Sequence, residues 1–123
     1  MIALDTNVVL RLLMADDSRQ YERVLALLEK LQAEGEIAVI TDNALSEIVW
    51  VLERSYKAKK PEIIDALTIL AGVIGVQMAS PEKFESALQA YIIGKGDFAD
   101  YLLRGQAREV GCRAVATFDK ALL

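Results

Sequence analysis

Short unbroken apolar runs alternate along the chain with longer stretches in which apolar residues recur every three or four positions. That alternation predicts strands separated by helices. Ile2 to Leu4 reads as a short buried strand, and Val8 to Met14 as the start of a helix. Asp17, with Gln20 three residues on, resembles a capping box and opens a long helix that ends near Gly35. Glu36 to Ile40 is a second strand. After Thr41, Leu45, Ile48, Val49, Leu52 and Tyr56 fall at helical spacing.

Pro61 suits the first position of another helix, and Ser80-Pro81 repeats the signal with serine as N-cap. A weak third strand is expected around Gly75 to Met78, between those two helices. Gly94-Lys95-Gly96 reads as a loop and Asp97 to Val110 as a helix containing Gly105 and closed by Gly111. Arg113 to Thr117 reads as the last strand. Strands alternating with helices imply an α/β domain with a doubly wound parallel sheet. No repeat, linker or low-complexity segment interrupts the 123 residues, so a single domain, 1–123, is expected.

Composition narrows the chemistry. Hydrophobic residues make up 54% of the chain, enough to leave apolar surface for a partner to cover. The formal net charge of −4 argues against a simple nucleic-acid-binding module, because the protein as a whole repels phosphate. It leaves a nuclease open, since bound cations neutralise an acidic site locally. There is no histidine, which excludes Ser-His and Cys-His nucleophile pairs and Cys/His zinc sites. The single cysteine, Cys112, suits a reducing compartment. The apolar start is broken by Asp5 and Arg11 and lacks a basic leader region, and Ala66 to Val76 is too short to span a membrane. A cytoplasmic protein with no membrane association is expected.

Several acids stand where a fold alone would not ask for them. Asp5 closes the first expected strand, and Asp119 lies two residues beyond the last. The carboxyl edge of a parallel sheet is where such folds bind ligands. Glu47 sits in a helix with Asn43, Ala44, Trp50 and Val51 at its three- and four-residue neighbours, bordering the apolar stripe. Asp97 and Asp100 are neighbours on a helix start, where capping accounts for one or both. Asp5 has a capping reading too, and Asp119 a turn reading. Taken together, the acids offer the hard oxygen ligands that Mg²⁺ or Mn²⁺ prefer, and a cation relieves their mutual repulsion. One or two such ions can activate water and orient a phosphodiester without histidine.

Four stretches, LDTNVVLRLLMADD, ALSEIVWVL, DFADYLLRGQAREVG and ATFDKAL, appear in that order along nearly the whole chain. In order and spacing they resemble PIN-domain proteins, and more narrowly the VapC toxins of VapBC-type toxin-antitoxin pairs. The resemblance implies a three-layer α/β/α fold with a central parallel sheet of four or five strands. Members of that family commonly continue past the last acid into another short helix and edge strand, whereas four residues follow Asp119 here.

Carried over residue by residue, the family's catalytic, metal-binding acids fall on Asp5, Glu47, Asp100 and Asp119, with Asp97 as an accessory. Thr6, Asn7, Ser46 and Thr117 lie beside them in the same motifs and could position ligands or water by hydrogen bonds. The resemblance further implies a Mg²⁺- or Mn²⁺-dependent endoribonuclease, an RNA substrate, a cognate antitoxin protein and a toxin homodimer. Arg11, six residues after the first acid, could reach a phosphate. Arg54, Lys57, Lys59 and Lys60 form the densest basic patch, although a solvated helix end explains them as well. Trp50 and Tyr56 could stack bases or serve as core or contact aromatics. Two other classes compete. A receiver-type phosphoacceptor domain would rest on Asp42, and a catalytically inactive binding module would leave the acids unused.

Overall fold

The computed structural model describes residues 1–120. Two compact units make up the chain: Met1–Ala79, and Ser80–Leu123, of which 80–120 are described.

The first unit is built on a parallel sheet. Its strands are β1 (Ile2–Ala3), β2 (Ala38–Ile40) and β3 (Val76–Met78), in spatial order β1-β2-β3. Ile2 pairs with Ala38 and Ala3 with Val39; Ala38, Val39 and Ile40 then pair with Val76, Gln77 and Met78. Parallel neighbours need long crossovers, and two helix pairs supply them. These are α1 (Thr6–Met14) with α2 (Ser18–Ala33), and α3 (Asp42–Arg54) with α4 (Lys60–Ala71). Between sheet and helices lie Leu4, Val9, Ile40, Leu45, Ile48, Ile63, Leu67, Leu70 and Met78, all nearly solvent-free.

Local chemistry sets the helix ends. Asp17 accepts hydrogen bonds from the Arg19 and Gln20 amides, both at 3.1 Å, so the N-cap expected of Asp17 forms. At the other end of α2 the Glu36 amide donates to the Leu31 carbonyl at 2.8 Å, across Gly35 at φ 73°, a left-handed conformation that favours glycine. Thr41 Oγ1 accepts from the Ala44 amide at 3.2 Å and starts α3. Pro61 stands second in α4, one place later than its spacing suggested, and the Lys59 amide donates to Glu62 at 3.0 Å.

The second unit contains α5 (Pro81–Ile93) and α6 (Phe98–Glu109). Phe98 packs edge-on against Phe84 and Tyr91, with ring centroids 6.2 and 5.8 Å apart. Gly105 lies inside α6 because α5 approaches it closely. A methyl group there would come within 2.6 Å of the Lys83 Cγ, and Lys83 itself pairs with Glu109 at 2.7 Å. Ser80 precedes Pro81 as expected, yet its hydroxyl donates to Glu109 at 3.3 Å rather than capping α5.

Two expectations need correction. Among the described residues the sheet has three strands, not four or five, and six helices accompany it. Arg113 to Thr117 is irregular and largely exposed. Its only sizeable apolar residue is Val115, so burying it would return little against the entropy of ordering its backbone. The first strand is also not buried throughout. As an edge of the described sheet, β1 leaves Ile2 42% exposed, and burial begins at Leu4.

Candidate functional site

The chain leaves β1 through Leu4 and turns into α1 at Asp5. Asp5 takes the N-cap position, and its carbonyl accepts from the Val8 and Val9 amides at 3.0 and 3.2 Å. Its carboxylate makes no capping bond, so the capping account of Asp5 is not realised; the side chain stays exposed. One residue on, Thr6 is the buried polar side chain of the described residues, 8% exposed. A buried hydroxyl needs a partner. Thr6 finds it 41 residues away, donating to Glu47 Oε2 at 2.9 Å.

Glu47 is placed by α3. The Thr41 cap sets where that helix begins, and one turn before Glu47 the Asn43 amide donates to Glu47 Oε1 at 3.3 Å. Both carboxylate oxygens therefore accept hydrogen bonds, from Thr6 on α1 and from Asn43 on α3. The segment that carries Asp5 and the helix that carries Glu47 meet through this contact. Ser46 is half-buried beside it, while Asn7 is exposed.

In the second unit, Asp97 and Asp100 open α6. The Asp97 amide donates to Asp100 Oδ2 at 3.1 Å, so Asp100 takes part in closing the helix start, as the capping reading expected. Asp97 is exposed and Asp100 half-buried. Asp119 is exposed in the irregular tail, where its amide donates to Thr117 Oγ1 at 2.9 Å. Within each unit, among the described residues, no three acid or cysteine side chains cluster as a cation site would require. Glu47, held by a hydroxyl and a side-chain amide, and the exposed Asp5, next to Thr6 in the chain, are both carboxylates. Such oxygen donors fit a hard divalent cation.

A family model described as PIN domain matches residues 2–123. The chain belongs to the PIN-domain family. It is also 24% identical over 117 residues to a protein named VapC ribonuclease from Aquifex aeolicus (strain VF5), covering 95% of this chain and 86% of that protein.

The remaining candidates of this PIN domain are structural or surface groups. Trp50 is 58% exposed, with the Arg54 guanidinium 5.2 Å from its ring centre, so it is not a core aromatic. Tyr56 donates to Asp16 Oδ2 at 3.1 Å. Loss of solvation raises its phenol pKa, the Asp16 bond and charge add to that, and Arg11 opposes them. Sequence reasoning noted Asn43 as a neighbour of Glu47 without assigning it a part. The signal was present, since an Asn four residues before a Glu on a helix is a recurrent hydrogen-bonding pair. That Arg11 on α1 and Arg23 on α2 line one cleft had no comparable local signal.

Proposed function

We infer that this PIN domain is a cytoplasmic Mg²⁺- or Mn²⁺-dependent endoribonuclease, the toxin of a toxin-antitoxin pair, with Asp5, Glu47, Asp100 and Asp119 as its catalytic acids. The observation that carries this reading is the buried Thr6 hydroxyl directed at Glu47. A part-buried polar bond between two distant segments, with an uncapped Asp5 next to Thr6 in the chain, is more than the fold needs. The PIN-domain match and the VapC-named relative support the same assignment.

Asp5 and Glu47, with Asp100 and Asp119 proposed to join them, would hold the cation. When bound, the cation supplies Lewis-acid stabilisation of the phosphodiester and lowers the pKa of water. The protein's own part is orientation. Thr6 and Asn43 hold one Glu47 oxygen each, which limits the rotamers of the carboxylate and spares ordering it at the moment of reaction. Asp5, anchored through its carbonyl at the start of α1, keeps its carboxylate free of capping. Asp97 and Thr117 sit beside the other two acids as accessories, and Asn7 and Ser46 beside the first pair. Exposed apolar residues, Ile69 at 61% and Ile74 at 77%, support an antitoxin or a second copy of the chain as partner. No helix among the described residues is long and apolar enough to cross a membrane.

The test is cleavage of a pool of structured cellular RNAs by the purified protein with Mg²⁺, with Mn²⁺ and with EDTA, beside Asp5→Asn. Metal-dependent cuts that vanish in the variant are expected. Equal cutting by the variant would remove Asp5 from the site, and no cutting by a folded, metal-supplied protein would end the nuclease assignment.

A further inference from the structure

Helices α1 and α2 border an open cleft of about 420 Å³. Asn7 and Arg11, four residues apart, line it from α1; Gln20, Arg23, Val24 and Leu27, on one face of α2, line it from the other side. In a chain whose net charge is −4, this cleft presents two guanidinium groups and two amides, and no carboxylate lines it. Among the described residues neither the Arg11 nor the Arg23 guanidinium forms a hydrogen bond or an ion pair, although the Arg11 charge acts on Tyr56. Two guanidiniums facing one space repel each other, and an anion between them relieves that repulsion while accepting their fork-shaped donors.

Position indicates which anion. Arg11 follows Asp5 by six residues, about 9 Å along the axis of α1. An extended polyanion passing Asp5 along α1 would therefore reach this cleft. The volume falls in the range of a drug-sized ligand, so it admits a nucleotide. Val24 and Leu27 give it an apolar floor suited to the face of a base or sugar.

We propose that the α1/α2 cleft is a subsite for single-stranded RNA. Arg11 and Arg23 bind phosphates that flank the one to be cut, and Asn7 and Gln20 hydrogen-bond to the same nucleotide. The proposal rests on the nuclease reading for its substrate, but binding tests it separately from cutting.

The experiment measures fluorescence anisotropy of a labelled single-stranded RNA with the Asp5→Asn protein over a range of salt concentrations. It is repeated with Arg11→Gln and Arg23→Gln added, and again with both arginines replaced by lysine. Losing two phosphate contacts should weaken binding about tenfold or more at low salt and flatten the slope of log affinity against log salt by about 1.4. The lysine pair should recover most of that slope. Arg54→Gln, outside the cleft, should leave it unchanged. Unaltered affinity and slope in the glutamine pair would overturn the proposal, as would displacement of the RNA by a polyglutamate peptide at equal charge. Cleavage by the wild-type protein with unaltered binding in the glutamine pair would remove the cleft alone. Failure of the wild-type protein to cut, with arginine-dependent binding retained, would remove the nuclease reading alone.

Discussion

The two pairs of acids are supported in different ways. Asp5 and Glu47 rest on a sheet crossover: Asp5 follows β1 into α1, Glu47 rides on α3, and a buried hydroxyl ties the two segments together. Asp100 and Asp119 rest on local structure. Asp100 helps close the start of α6, and Asp119 lies in an irregular stretch where its amide donates to Thr117, two residues away. In the first pair the Glu47 carboxylate is held by bonds from two segments, one of them distant in the chain, and Asp5 is placed through its backbone at the start of α1. The bonds described for the second run between near neighbours, which order a short segment.

The strongest way to break this comparison is to neutralise each acid in turn. Asp5→Asn and Glu47→Gln should each reduce cleavage by about a thousandfold, near 4 kcal/mol of barrier, with little change in Tm. Asp100→Asn and Asp119→Asn should reduce it comparably under the proposed mechanism. Cleavage that depends on Asp5 and Glu47 but survives the other two changes would confine the chemistry to the first unit.

The second unit can be probed through its packing. At Gly94 an added methyl would lie 2.9 Å from the Ala90 carbonyl oxygen and would also collide with the Tyr101 hydroxyl. Gly94→Ala should cost about 1–3 kcal/mol in chemical denaturation. An unchanged midpoint would mean that the turn before α6 relaxes freely.

A smaller effect separates orientation from folding in the first unit. Thr6→Val keeps the shape and removes the donor to Glu47 Oε2, so cleavage or Mn²⁺ affinity should fall about 10- to 100-fold. The pH profile of cleavage should change with it, whereas a purely structural role would lower Tm and leave that profile alone. The smallest change expected is at the α3 cap: Thr41→Ala should cost about 1 kcal/mol, measured by urea unfolding. Activity falling by more than that stability loss predicts would show that the start of α3 governs where Glu47 sits.

Much of this was legible in the sequence. The Asp17 cap, the Thr41 and Pro81 helix starts, the weak strand at Val76 and the acid-bearing motifs all follow from signals a few residues wide, because capping and helical periodicity act over one turn. The pattern of acids without histidine likewise pointed to oxygen-ligand chemistry. The strand expected at Arg113 to Thr117 shows where such signals stop. Its short apolar run read as a strand, but forming one requires a neighbour's edge and enough apolar area to offset ordering, and neither is written in five residues.

By itself the sequence determined most of the segments that become helices and strands, where most of them begin, and which acids stand out. Only the tertiary structure decided that Thr6 meets Glu47 across 41 residues, that β1 lies at an edge of the described sheet, and that Arg11 and Arg23 share one cleft. These contacts depend on strand register and helix packing, which are set by the burial of many side chains at once and not by any one stretch of chain.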